Sequence, residues 1–232
     1  MTQIKLSKRL EAIAALVPPY GGVVDVGTDH GYIPVYLAQS CHSGSLYATD
    51  INQGPIEHAR QTAKDFDVED KISFYLCNGL ESIHSSEIST IIIAGMGGEN
   101  IVDILARAPW TKQNNCLLIL QPMSKSSILR SWLFDNGFKV LSEQLVDDGT
   151  IYEILTASAG KDMPYSPAER LIGHGHLISA DPLLNKRLSL LIDKAKKTES
   201  GLSSSSKSED IAKLNEIKAL ILSLQNLLDS NV

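Results

Sequence analysis

Between about residues 22 and 157 the chain alternates short apolar runs with longer stretches of helical spacing, and this alternation constrains the fold more than any other feature. The runs are GVVDVG, SLYATD, KISFYL, TIIIAG and CLLILQ, each close to strand length and bounded by Gly, Asp, Asn or Gln. Between them lie IPVYLAQS, GPIEHARQTAKDF, ENIVDILARA and KSSILRSWLFDN, whose apolar residues recur at helical intervals. Strands apolar on both faces and separated by helices imply a parallel sheet covered on both sides. After Gly137, FKVLSEQLVDDGTIYEILTAS reads as two further strands joined at Asp148-Gly149, a hairpin signal.

Beyond Gly160 the pattern changes. A linker-like KDMPYSP leads to Asp181-Pro182, a fitting N-cap and first helical residue. Leu184, Leu188, Leu191 and Ala195 then recur at spacings of four, three and four, and Leu214, Ile217, Ile221, Leu224 and Leu228 repeat the periodicity after a serine-rich break. We expect residues 1–160 to form one domain, and 161–232 a helical extension folded as an antiparallel coiled-coil hairpin. The net charge is -6, yet residues 183–228 hold eight Lys or Arg against five Asp or Glu, a local +3. The extension is the basic end of an acidic protein, and a global sum hides such a patch.

The remaining composition excludes several classes. Its 43% hydrophobic content, with no apolar run long enough to span a bilayer, fits a cytoplasmic globular protein with no membrane association. Charges interrupt the apolar periodicity of MTQIKLSKRLEAIAALV, which therefore does not resemble a secretory leader. Cys41, Cys77 and Cys116 are widely spaced and form no C-x-x-C pair, so neither zinc nor a disulfide framework is expected. His174 and His176 in GHGH have no third ligand nearby and read as a loop feature, so no metal is assigned. Trp110 and Trp132 read as packing residues.

The turn after the first strand reads VDVGTDHG. In a dinucleotide site the central glycine lets the backbone approach a pyrophosphate, whereas here Asp29 fills that place and would repel phosphates. S-adenosylmethionine carries no phosphate but has a sulfonium and an ammonium, so acids at the loop favour it over NAD or ATP. Gly27 and Gly31 still permit close backbone approach. Asp50 ends the second strand 23 residues after Gly27, placed to accept ribose hydroxyls. At the end of the third strand, Asn78 can bond an adenine edge and Leu80 pack on its face. Each also has a plain reading as a strand end or turn residue; their shared place at the carboxyl ends of successive strands lifts them.

Five parallel strands ending in an antiparallel hairpin is the Rossmann-like α/β layout of class I methyltransferases. With LSKRL, DVGTDHGYIP, IAGMGG and QP in one chain, the sequence resembles the bacterial tRNA adenine-N1-methyltransferases that modify adenine 22. The resemblance spans nearly the full length and implies a tRNA substrate, S-adenosyl-L-methionine as cofactor and a C-terminal coiled coil. It places the cofactor loop on Asp25, Gly27, Asp29, His30 and Gly31. Asp50 with Ile51 falls on the ribose site, and Asn78, Gly79 and Leu80 on the adenine site. Ala94, Gly95 and Met96 also border the cofactor; Tyr32, Gly97, Gly98, Gln121, Pro122 and Met123 border the substrate. Met123 departs from the family's common Asn in QPN, and Asn78 stands where an acid is frequent.

Many amino-methyltransferases have an N-P-P-aromatic tetrapeptide after the fourth strand; here that place is IAGMGG, which offers room for a flat base but no acid or base. A tight turn that merely uses glycine is the plain alternative. Asp29 is then the candidate catalytic group, either accepting a proton from the exocyclic amine of the target adenine or fixing the loop. Lys5, Lys8 and Arg9 share one side of an expected first helix and suit either solvent or RNA phosphates. Lys186, Arg187, Lys194, Lys196 and Lys197 offer the same choice on the hairpin. The rival readings are a small-molecule methyltransferase and a non-enzymatic binder of S-adenosylmethionine or RNA. A monomer without an obligate protein partner is expected.

Overall fold

A computed structural model describes residues 3–83, 85–203 and 208–230. The elements run α1 (Lys8–Ala15), β1 (Gly22–Val26), α2 (Tyr32–Gln39), β2 (Leu46–Asp50), α3 (Gln53–Asp65), β3 (Ile72–Leu76), β4 (Ile88–Gly97), α4 (Gly98–Ala106), α5 (Trp110–Gln113), β5 (Leu117–Ser124), α6 (Ser126–Asp135), β6 (Phe138–Asp147) and β7 (Ile151–Ala159). The seven strands form one sheet in the order β3-β2-β1-β4-β5-β7-β6. The first five are parallel, and β7 runs antiparallel to both β5 and β6. The strand order reverses on either side of β1, which opens a crevice at the carboxyl ends of β1 and β4 where a ligand can sit.

Burial follows position in the sheet. All of β1 is buried, and Ile91, Ile92 and Ile93 of β4 are fully enclosed. β3, at one edge, has exposed or half-buried residues after Ile72. The continuous apolar runs of the central strands thus satisfy two covered faces, each enclosed Ile contributing roughly 1.5–3 kcal/mol of transfer free energy.

Two boundaries differ from the sequence expectation. The first helix begins at Lys8, because the Ser7 hydroxyl caps the Leu10 N–H at 3.5 Å. Lys5 and Ile4 therefore precede the helix, and Lys5 does not share a helical face with Lys8 and Arg9. In the second case, β4 continues through Ala94, Met96 and Gly97, which pair with Gln121, Pro122 and Ser124 of β5. Gly95, with φ of 79°, is unpaired on the β4 side of this ladder, and Met123 on the β5 side. IAGMGG is thus a strand end with a glycine bulge, which kinks the backbone without ending the strand.

The chain divides into two compact units, Met1–Met163 and Pro164–Val232. The second contains α7 (Glu169–Ile172), α8 (Gly175–Ile178), α9 (Leu184–Leu202) and α10 (Ser208–Ser230). Helix α9 packs on α10. Its buried residues are Leu184, Leu188 and Ile192, so Ile192 takes the place expected of Leu191. Helix α9 starts three residues beyond Asp181, whose carboxylate accepts the Leu183 N–H at 2.9 Å. The serine-rich break includes residues 204–207, which lie outside the described residues. His174 lies in the short connection between α7 and α8, as a loop feature should, but it is buried there: it is 1% exposed, stacks on Tyr165 at 3.8 Å between ring centroids and lies 3.5 Å from Glu169.

Candidate functional site

Two adjoining clefts open at the carboxyl ends of β1, β2 and β4. One, of about 470 Å³, is bordered by Asp50, Ile51, Asn78, Gly79, Met96 and Arg107. Its neighbour, of about 440 Å³, is bordered by Arg9, Asp25, Thr28, Asp29, His30 and Tyr32. Gly27, Ala94 and Gly95 line both, so the clefts meet where the β1 turn faces the β4 bulge.

The first cleft is lined by both polar and apolar side chains. Asp50 turns one carboxylate oxygen back to the Asn52 N–H at 2.9 Å, which fixes the strand end. The Asn78 carbonyl oxygen accepts from the Arg107 guanidinium at 3.0 Å, and Arg107 also pairs with Glu81 at 3.0 Å. Arg107 holds Asn78 in place from the C-terminal end of α4, a link without any local signal in the sequence. Ile51, 62% exposed, is the apolar face offered here. Leu80 is not: it is 4% exposed and borders neither cleft, because the turn after Asn78 carries it into the core.

The second cleft is organised around a buried acid. Asp25 is 6% exposed and its carboxylate accepts the Thr28 hydroxyl at 2.6 Å. Burial pushes the Asp25 carboxyl up to about 6, against the Thr28 hydrogen bond, with the charge of Asp50 adding to the rise. Asp29 has φ of 51° and stands 70% exposed at the rim. His30 lies 3.8 Å from Asp29 and stacks on Tyr32 at 5.3 Å between centroids.

Arg9 also lines this cleft, whereas Gln121, expected to border the substrate, borders neither cleft and instead anchors Arg9 from within the core. The fully buried Gln121 carbonyl accepts from the Arg9 guanidinium at 2.6 Å and from the Gly95 N–H at 3.2 Å. The Arg9 guanidinium also lies over the Tyr152 ring at 5.3 Å, and its backbone N–H reaches Asp148 at 3.2 Å. The Ser7 hydroxyl first, then the Arg9 N–H, hold the Asp148 carboxyl below its ordinary value. Arg9 is therefore half-buried in the cleft wall, and the helical-face choice between solvent and phosphate does not describe it. Lys8 remains exposed. Pro122 is buried behind the cleft, and Met123 is 53% exposed with its sulfur 3.6 Å from the Gln121 amide nitrogen.

The glycines divide by purpose. Gly27, at φ of 71°, lines both clefts, and a Cβ there would meet the Met96 methyl. Gly31 caps α2 in the left-handed region, where a Cβ would lie 2.9 Å from that of Ala59 on α3. It borders neither cleft and serves helix packing, contrary to the expectation of ligand approach. Gly98 likewise packs against the Lys125 carbonyl, where a Cβ would come to 2.4 Å. Gly97 and Gly98 border neither cleft, because the extended β4 carries them past the bulge.

The donor set fits a cationic nucleoside better than a pyrophosphate. Asp25 is buried with the Thr28 hydroxyl as its hydrogen-bond partner, and Asp29 and Asp50 flank the glycine turn.

The chain is similar to known methyltransferases in sequence and in fold. A family of methyltransferase domains matches residues 6–155. The tRNA (adenine(22)-N(1))-methyltransferase of Bacillus subtilis is 34% identical over 71% of this chain and 70% of its own length. The crystal structure of the B. subtilis m1A22 tRNA methyltransferase TrmK superposes with a TM-score of 0.88 at 27% identity, covering 97% of this chain and all of that one. M. capricolum TrmK in complex with S-adenosyl-homocysteine gives 0.82 at 25% identity, covering 97% and 98%. A Rossmann-like sheet, acids around a glycine turn and a relative of this identity and coverage converge on one conclusion: the chain belongs to the family of tRNA (adenine-22-N1)-methyltransferases.

Proposed function

We propose that this protein transfers a methyl group from S-adenosyl-L-methionine to N1 of adenine 22 in tRNA. The observation that carries the reading is the buried Asp25 carboxylate beside Gly27, where the two clefts meet, a place suited to a cationic ligand. Asp50 would accept the ribose hydroxyls, with Ile51 against the adenine ring and Asn78, held by Arg107, at its edge. Asp25 and Arg9 would face the ammonium and carboxylate of the methionine end. When bound, the cofactor supplies an activated methyl group on a sulfonium.

The chain's own contribution is then placement. Gln121 fixes the Gly95 N–H and Arg9 together, which sets the bulged β4 backbone beside the reacting centre. A flat base, unpaired and turned out of its stack, would enter past Tyr32 and Met123, so that N1 lies in line with the methyl group. Asp29, at the rim of this entrance, would accept a proton from the exocyclic amine. Residues 1–160 would carry this chemistry, and residues 161–232 would present exposed Lys186, Lys194, Lys196 and Lys197 to the RNA backbone. No helix among the described residues is long and apolar enough to cross a membrane. We take the protein to act in the cytoplasm as a monomer.

The deciding experiment is methyl transfer from labelled cofactor to unmodified tRNA transcripts carrying A or G at position 22, with mapping of the product nucleoside. N1-methyladenosine formed only on the A22 transcript is the expected result. Cofactor binding without transfer to either transcript would overturn the substrate assignment.

A further inference from the structure

At the rim of the second cleft the described residues contain a group of three donors, of which the proposed methyl transfer gives a role to Asp29 alone. Asp29, His30 and His58 each offer one ligand atom, and the three atoms lie within 4.8 Å of one another. Asp29 and His30 come from the β1 turn, whereas His58 projects from α3. Gly31, packed against Ala59 on that same helix, brings the two elements together. The imidazoles of His30 and His58 stack at 5.3 Å between centroids with planes 7° apart. His30 Nε2 is 3.8 Å from Asp29 Oδ1. Among the described residues no other group of three His, Cys, Asp or Glu side chains satisfies this spacing.

Two imidazoles and one carboxylate make a donor set for a borderline divalent ion such as Zn²⁺, Co²⁺ or Ni²⁺, in preference to the oxygen-only cages of Ca²⁺ or Mg²⁺. Two ligands on bonds of about 2.0–2.1 Å stand about 3.4 Å apart at a tetrahedral angle. The Asp29 to His30 separation already approaches this value. All three side chains are exposed, so closing the rest needs only rotamer changes at the surface. The remaining coordination positions would face water.

We propose that Asp29, His30 and His58 bind one divalent transition-metal ion, and that its binding inhibits methyl transfer by withdrawing Asp29 from the substrate entrance. The binding half stands independently of the proposed reaction; the inhibitory half rests on the role given to Asp29.

Calorimetric titration of Ni²⁺ into the full chain tests the binding half. One ion should bind per chain, with affinity at least about tenfold weaker in His58→Ala and unchanged in Cys41→Ser, which removes an exposed thiol. Binding unaltered in His58→Ala, lost in Cys41→Ser, or absent altogether overturns the site. Methyl transfer is then measured with Ni²⁺ and with Ni²⁺ plus EDTA. The parent should be inhibited and restored, while His58→Ala retains its metal-free rate in all conditions. Equal inhibition of both chains overturns the inhibitory half, because the metal would then act through the RNA or another site. Failure of the parent to methylate in any condition would instead count against the proposed reaction, with the calorimetric result still standing.

Discussion

The first unit buries acids in two places and treats them in opposite ways. Between α6 and the terminal hairpin, Arg130 of α6 is fully enclosed and pairs with Glu143 of β6 at 2.6 Å and Glu153 of β7 at 3.1 Å. At the crevice, Asp25 is as deeply buried yet has a hydroxyl, not a cation, as its partner. The first arrangement sets a guanidinium against its two acids within the fold and ties α6 to the terminal hairpin. The second leaves a carboxylate whose ionised form is disfavoured until something positive arrives. Burial alone therefore does not separate a structural charge from a functional one; the identity of its partner does.

If that contrast is right, removing the cation from the first place should cause the largest loss. Arg130→Met leaves two enclosed carboxylates facing one another without the guanidinium, and should cost about 3–5 kcal/mol in urea unfolding. Replacing all three residues together, Arg130→Met with Glu143→Leu and Glu153→Leu, should recover most of that loss. A triple variant as unstable as the single one would show that the charges contribute more than their mutual pairing. At the crevice the sign should invert. Asp25→Asn keeps an acceptor for Thr28 and removes a carboxylate whose burial is unfavourable at neutral pH. It should stabilise the free protein by on the order of 2–3 kcal/mol while weakening S-adenosyl-homocysteine binding at least about tenfold. Thermal unfolding with and without ligand reads both; a variant that is less stable and binds normally would remove Asp25 from the site.

How much of this was legible beforehand depends on the range over which each feature is determined. The strands were readable because continuous apolar runs such as TIIIAG have few ways to be buried, and the acids of the glycine turn because the chemistry of the loop is local. The roles of Gly31 and Gly98 were not readable: both were assigned to ligands, yet each is required by a close approach to Ala59 or to the Lys125 carbonyl that only the folded chain creates. Leu80 was misplaced for a related reason, since a turn decides whether the residue after Asn78-Gly79 faces the cleft or the core. Arg107 and the junction of Arg9 with Gln121 depend on contacts 29 and 112 residues apart in the chain, beyond the reach of any motif.

The pH dependence sharpens the contrast further, with a smaller effect. The Asp25 carboxyl is raised from 3.8 to about 6 in the folded chain, so its contribution to stability is fully present below 3.8 and is lost as pH rises through 6. The difference in unfolding free energy between parent and Asp25→Asn isolates it from Asp148 and Glu169, whose lowered values act in the opposite direction. Binding follows the reverse course, because a cationic ligand selects the ionised acid. S-adenosyl-homocysteine, through its ammonium, should bind about tenfold more weakly at pH 5 than at pH 7, and the dependence should vanish in Asp25→Asn.

Thr28 supplies the finest test. Its hydroxyl donates to Asp25 at 2.6 Å and opposes the rise that burial causes. Thr28→Val removes that donor with little change of shape, a loss of about 0.5–1.5 kcal/mol for the ionised form. The midpoint of the pH-dependent binding should therefore move upward from about 6 by less than roughly one unit, with affinity at pH 8 nearly unchanged. A midpoint that stays in place while affinity falls at every pH would mean that Thr28 shapes the turn and does not tune the acid. Burial, with the charge of Asp50 adding to it, would then set the ionisation of Asp25 without any offset from Thr28.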